Sequence, residues 1–593
     1  MTAPLRTSPD AALRDVVIVD GGTDAFEDAG LEGVATRDVG DDVEELDGSM
    51  PDAGPTTLCA RDENVQGDVC TTCKAGTFTG RNDPAPGPDT TCGEICADPP
   101  CDDACNMSLG VSCATFEDAY VKASNTGVSD NFGQRVAISG DTMVVGVSQE
   151  DSDATGVDGS DSNNARVDSG AAFVFVRVDG EWVQQAYLKA DNAGAGDQFG
   201  NAVAIDGDRI VIGAFHESSE AMGVDGDGEN DNLDKHGAAY IFDRAGDTWA
   251  QVAYLKGPDN GVAGGVNGDN WGVSVAISGN LVAMGSIRED SADRNDSTDN
   301  GAQNTGAVVL FELGDDGWTQ AAYIKAPNFD ESDDFGIALA LDGGTLVVGA
   351  PREDGTLTGA NPEPGFTGNT PRDSGAAYVF AFDGAEWALQ VYLKATTSTD
   401  SDRGGAYAFG GAVAVDGDRI VVGAIGEGSP ATGVDGSQVI TTENRVAGAG
   451  AAYVFDRTGI EWAPVAYLKA SNTEAGDVFG FDVSVSGDRV VVVAVGEGGG
   501  SAGVGGDDTN NEAPLSGAAY IFGRIDGSWN QLAYVKAPIP DEEDRLASVD
   551  LDGDTLVLGG PLEDSDATGV GGGQDNNSRT DSDAVYVRRL AFE

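Results

Sequence analysis

Two histidines, six methionines and 33 basic residues are all that 593 positions contain of these types, against 101 aspartates and glutamates and a formal charge of −68. So little positive charge excludes a polyanion-binding surface, because nucleic acid and anionic membranes would be repelled. No apolar run approaches the length needed to span a bilayer, and the start MTAPLRTSPDAALRD has no hydrophobic signal core. P-loop and HExxH patterns are missing too, and there is no GxSxG elbow or dinucleotide fingerprint between a strand and a helix. Carboxylates are too common for any pair to mark a glycosidase-like acid and base. Past residue 113 there is no cysteine, for all eight (Cys59, Cys70, Cys73, Cys92, Cys96, Cys101, Cys105 and Cys113) lie before it.

What is present is repetition, and fixed-period repetition decides architecture before any local pattern does. One phrase recurs: an aromatic-glycine opening, an apolar pair of runs around a Gly/Asp turn, a long acidic loop, SGAAYVF, then W...AYLKA. The openings are Phe132-Gly133, Phe199-Gly200, Trp271-Gly272, Phe335-Gly336, Phe409-Gly410, Phe479-Gly480 and a degenerate Arg545-Leu546. Inside a unit, NAVAIDGDRIVIGA reads as a hairpin around Asp206-Gly207-Asp208, and GAAYIFDR and TWAQVAYLKG add two strands. Each unit is thus a four-stranded antiparallel meander that has to bury its faces against neighbours. The seventh unit stops at Glu593 without its fourth strand, while FEDAYVKA, residues 116 to 123, stands unused before the first opening. This offset predicts an all-β, seven-bladed β-propeller over 114 to 593, closed by an N-terminal strand.

Trp182, Trp249, Trp318, Trp387, Trp462 and Trp529 each precede a lysine (Lys189, Lys256, Lys325, Lys394, Lys469, Lys536) by seven positions. In a regular strand that spacing puts the two on opposite faces, the indole between blades and the lysine tip in solvent. Gly213, Gly285, Gly349, Gly423 and Gly559 end the second strand where a side chain would crowd the hub. Residues 1 to 56 are acidic and rich in Gly, Asp and Pro, and read as a disordered arm. Residues 57 to 113, with the eight cysteines and few apolar residues, read as a small disulfide-rich module. Zinc at Cys70/Cys73 and Cys92/Cys96 is the alternative. Oxidised cysteines imply export, hence an extracellular or cell-surface location; with no signal visible, the expectation is a truncated or misassigned start, with a removed signal or an unconventional route as alternatives.

The short turns fall on one face of the ring, and the long acidic connections, such as 148 to 170 and 215 to 237, fall on the other. Loops on a rigid scaffold are where binding resides. Within them ATGVDG recurs at 154 and 431, with AMGVDG at 221. Asp225, Asp227, Glu229 and Asp231 alternate with the spacing to wrap a hard cation such as calcium, although Asn230 and His236 depart from an EF-hand loop. The weaker relative is Asp158/Asp161/Asn163. His216 and His236 read as solvated loop residues.

The Phe-Gly openings and Gly349-Ala350-Pro351, echoed by Gly213-Ala214 and Gly423-Ala424, resemble the FG-GAP repeats of the integrin alpha-chain propeller. That resemblance implies a seven-bladed ring serving adhesion and ligand recognition. It also implies calcium in a DxDxDG loop between the first two strands, where this chain has only tight turns such as Asp206-Gly207-Asp208 and Asp416-Gly417-Asp418. The expectation is a monomeric, non-enzymatic binding protein that recognises a protein or glycan. A propeller hydrolase acting on phosphate or sugar substrates and a structural coat component are the alternatives.

Overall fold

The computed structural model describes residues 119–590, except 126, 259–267, 295, 298–300, 356, 362–372, 397–407, 442, 575–577 and 580. It also describes the strands Glu63–Gln66 and Val69–Thr72, an antiparallel pair with Val65 opposite Cys70. The expected arm at 1–56 and the rest of the cysteine-rich module lie outside the described residues. By contacts, Met1–Ala114 with Ala591–Glu593 form one unit and Thr115–Leu590 the other.

The second unit is seven antiparallel sheets, six of four strands and one of five. Blade 1 shows the plan: Arg135–Ser139, Thr142–Val147, Ala171–Val178 and Glu181–Leu188 pair in that order. The seventh blade takes its fourth strand from the N-terminal side, as the offset predicts: Ala119–Val121 pairs with Ala584–Arg589, Tyr120 opposite Tyr586. Without it the seventh blade would end on the unpaired edge of its third strand.

Alternation along each strand sends one set of side chains to the preceding blade and the other to the next. Val174, Ala186 and Leu188 of blade 1 meet Ile212, Tyr240 and Phe242 of blade 2 in one buried cluster, and Trp249 closes its outer end. Trp249 Nε1 also donates to Gln185 Oε1 of blade 1 at 2.8 Å, so the indole packs between blades as expected.

The aromatic-glycine openings form the seams. Phe199 N donates to Ser169 O of the preceding blade, and Gly200 N to Gly213 O of its own. A Cβ at Gly213 would lie 2.1 Å from Gly272 O, so what excludes a side chain is the next blade's opening glycine rather than the hub. The same holds for Gly285, Gly349, Gly423 and Gly559 against the carbonyls of Gly336, Gly410, Gly480 and Gly133. In the last blade the hydrogen bonds belong to Leu546 and Ala547, one residue later than the Arg545-Leu546 read from the sequence.

A second ring of contacts runs through the short turns. In each, the Asp or Ser before the glycine accepts from the corresponding glycine N–H one blade on: Ser139 from Gly207, Asp206 from Gly279, Ser278 from Gly343, Asp342 from Gly417, Asp416 from Gly487, Ser486 from Gly553, and Asp552 from Gly140, all between 2.6 and 3.1 Å. The circuit is complete.

Gly213→Ala is expected to lower stability by about 1–3 kcal/mol, because backbone rather than a movable side chain must yield. Gly207→Ala, where nothing lies within 4 Å of the added Cβ but φ is +58°, is expected to cost less. Denaturant unfolding of the two variants measures the difference.

Candidate functional site: the long-loop face

The connections between the second and third strands are held down by buried charge. Seven lysines at the ends of the outer strands, Lys122, Lys189, Lys256, Lys325, Lys394, Lys469 and Lys536, are at most 4% exposed. Each meets a buried glutamate just beyond the second strand: Glu563, Glu150, Glu217, Glu289, Glu353, Glu427 and Glu497 respectively. Lys189 Nζ lies 2.9 Å from Glu150 Oε2 and also donates to Ser169 Oγ at 2.6 Å and Ser152 O at 3.2 Å. One ammonium thereby grips both ends of the 148–170 loop.

This overturns the expectation that the lysine tips reach solvent. The cause is a β-bulge: Val174 pairs with Ala186 but Phe175 with Gln184, leaving Gln185 as an extra residue. The bulge shifts the phase by one, so Trp182 and Tyr187 face the same cluster, and Lys189 follows them inward. Comparable register breaks occur in blades 2 to 6. The glutamates were missed, although their in-phase recurrence two positions before Ser152, Ser219, Ser291, Ser429 and Ser565 was a usable signal.

Burial pushes the lysines down from their ordinary value, against the glutamates that pull them up. Beside them, aspartates in the strand-four-to-one connections are pushed up, chiefly by burial: Asp130, Asp197 and Asp544 to about 7, Asp333 to about 8 and Asp477 to about 6. Each caps a nearby backbone N–H, as Asp197 does for Gly194 at 2.6 Å.

The recurrent GVDG and GVGG segments are recruited to the sheet edge. Val157, Val224, Val434 and Val504 form bridges to Leu188, Leu255, Leu468 and Val535, and Val570 pairs with Val121 of the closing strand. In blade 4 Gly359–Asn361 takes this place as a short fifth strand. These segments cover the outer edge that would otherwise be open to pairing.

Asp225 belongs to this device. It sits at φ 53°, and its Oδ1 accepts from Tyr254 N at 2.9 Å; Asp158 and Asp435 repeat the contact on Tyr187 and Tyr467. Asp227 Oδ1 accepts from Glu229 N at 3.1 Å in a local turn, and Asp227, Glu229 and Asp231 lie exposed. In the blade 1 relative, Asp161 accepts from Ser124 Oγ and Asn163 donates to Asp153. Among the described residues no group of three His, Cys, Asp or Glu side chains converges to hold a metal ion. The aspartates of the short turns do not fit a cation either, since Asp206 accepts from Gly279 N and Asp208 pairs with Arg244.

The two histidines are buried rather than solvated, His216 at 5% exposure and His236 at 1%. His216 stacks on Phe215 at 3.9 Å, and His236 occupies the position held by Ser169 in blade 1. Its Nδ1 lies 3.7 Å from Asp269.

The opposite, short-turn face has arginines of its own. Arg177, Arg244 and Arg457 lie over Trp182, Trp249 and Trp462 at 5.0 to 5.4 Å and pair with Asp141, Asp208 and Asp418. The long loops hold arginines too, such as Arg166, Arg288, Arg352, Arg445 and Arg579, but far fewer than their acids.

Breaking one anchor by Lys469→Ala is expected to cost roughly 3–5 kcal/mol by leaving Glu427 buried and unpaired, whereas Lys469→Met with Glu427→Leu recovers most of it. Urea unfolding measures both. The raised aspartates favour the folded state when protonated; their contribution is present below the ordinary carboxylate pKa and is lost as pH rises through about 6 to 8. The thermal midpoint is expected to fall between pH 5 and pH 8, and to fall less in Asp333→Asn.

No curated protein matches the chain. Solved structures with similarity include the mitotic checkpoint complex (10% identity, 79% of this chain and 96% of that one, TM-score 0.37) and phage phi92 endosialidase (10%, 80% and 69%, 0.33). Kuenenia stuttgartiensis hydrazine synthase matches at 8% identity, 73% and 93% coverage and a TM-score of 0.38. At these scores none bears on what this chain does. No helix among the described residues is long and apolar enough to cross a membrane, which says nothing of β-barrels. The model of the FG-GAP repeat matches residues 116–175, 182–242, 318–380 and 462–522, so four stretches of the propeller carry that repeat.

Proposed function

We propose that the propeller is an extracellular or surface-displayed, non-enzymatic binding module that engages a protein or glycan through its long-loop face. FG-GAP propellers are associated as a family with non-enzymatic ligand binding. The observation that carries the reading is the division of labour within each loop. Its base is clamped by a buried lysine and glutamate, and its tip, as at Glu220, Asp227, Glu229 and Asp231, is exposed acid without a structural duty beyond local turns. Rigid presentation of such tips lowers the ordering cost of binding.

Neutralising the tip by Glu220→Gln, Asp227→Asn, Glu229→Gln and Asp231→Asn, with Glu217 retained, is expected to leave the thermal midpoint unchanged. It is expected to weaken capture of the native protein or glycan partner by roughly tenfold, read by surface plasmon resonance. Unchanged capture by a folded variant would refute the assignment of binding to this face.

The calcium expected at 225 to 231 has its own test, because Asp225 already serves Tyr254. Calcium titrated against a magnesium control at fixed ionic strength is expected to leave the thermal midpoint unmoved. A saturable, calcium-specific rise would restore Asp225, Asp227, Glu229 and Asp231 as ligands.

A further inference from the structure

The buried glutamates do more than hold lysines. Asn192, Asn328 and Asn472 stand three positions after a lysine, in the connection entering the next blade, and each donates its side-chain amide to the other oxygen of that blade's glutamate. Glu217 meets Lys256 Nζ at 2.5 Å and Asn192 Nδ2 at 3.3 Å. Glu353 meets Lys394 at 2.7 Å and Asn328 at 2.9 Å. Glu497 meets Lys536 at 2.9 Å and Asn472 at 3.1 Å. An amine and an amide thus share one carboxylate, one on each oxygen, in each of these three blades.

The amide oxygen is engaged as well. Tyr240 donates to Asn192 Oδ1 at 2.9 Å, Tyr378 to Asn328 Oδ1 at 2.7 Å and Tyr520 to Asn472 Oδ1 at 2.6 Å. A carbonyl polarised by a buried hydroxyl, a primary amine and a carboxylate touching both nitrogens make up the set that amide exchange needs. We propose that the chain cross-links itself at these places, Lys256 to Asn192, Lys394 to Asn328 and Lys536 to Asn472, with loss of ammonia.

The step balances without any further reactant. Proton transfer along the Lys to Glu hydrogen bond gives a neutral amine, which burial favours. The Nζ lone pair adds to Cγ of the asparagine while the tyrosine hydroxyl supports the charge gathering on Oδ1. The glutamic acid gives its proton to Nδ2, and the Cγ to Nδ2 bond breaks. Ammonia leaves, and the surplus proton of the new Nζ to Cγ amide passes to the glutamate, which ends as the neutral acid.

The chain carries its own controls. In blade 1, Asn125 and Lys189 share Glu150 in the same way, at 3.0 and 2.9 Å. There Phe173 stands in the tyrosine's place and Asn125 Oδ1 is buried with no partner. Blades 3, 5 and 7 have the glutamate and lysine, but the corresponding positions are Asp259, Thr397 and Ile539.

Intact-mass measurement of the reduced full-length chain, followed by peptide mapping, tests the proposal. The expected result is a deficit of three ammonia molecules, about 17 Da each, with three branched peptides joining the named pairs and none joining Lys189 to Asn125. Glu497→Gln is expected to remove one deficit, at Lys536 alone. A chain at its full sequence mass would overturn the proposal, and a branched Lys189 to Asn125 peptide would overturn the part assigned to the tyrosines.

Discussion

A lysine buried against a glutamate, seven times around the ring, is the contact on which the rest of the long-loop face depends. Removing both charges from water is expensive, and the pair offsets that cost only when geometry is good and the remaining donors are used. Here the ammonium also reaches a serine or threonine hydroxyl, as at Ser169, Ser374 and Ser516, or a loop carbonyl. Apolar residues of the same volume would bury as much surface but would not specify where the loop returns. The ionic clamp makes a long, polar, glycine-rich connection behave as part of the sheet.

The architecture was legible because repetition and offset are properties of the sequence alone. The phrase FEDAYVKA could pair only with a unit lacking its fourth strand, and Tyr120 indeed stands opposite Tyr586. The lysines were misread for an equally local reason. Seven residues on a regular strand reverse the face, but the extra residue at Gln185 and its counterparts restores it, and a bulge leaves no mark in the alternation of apolar residues. The glutamates were overlooked because 101 acidic residues make any one of them inconspicuous until the repeats are aligned. Asp225 also caps the backbone N–H of Tyr254, a duty that the alternation of carboxylates at 225 to 231 does not disclose.

Two kinds of cation take two kinds of place in a chain that has few of them. Arginines lie between tryptophans and the aspartates of the short turns, where a planar guanidinium stacks and hydrogen-bonds at once. Lysines, with a compact charge, go to the buried clamps. Exposed pairs such as Arg244 with Asp208 add little stability.

The ends of the ring show what happens where the repeat drifts. In blade 6 the seam glycine is Val493, and the facing opening of blade 7 is Leu546-Ala547, so the close glycine contact has been given up on both sides of one seam. Carboxylates take over nearby. Asp482 accepts from Val549 N at 2.9 Å, Asp550 from Ile138 N at 2.9 Å, and Asp583, standing where other blades have glycine, from Phe132 N at 2.6 Å. Burial holds Asp583 well above the usual carboxylate range and Asp482 at about 6. Close backbone packing through glycine needs two matched residues, whereas a side-chain acceptor tolerates a wider gap. A ring that closes through an unlike strand therefore spends its buried acid where its repeats fit least well.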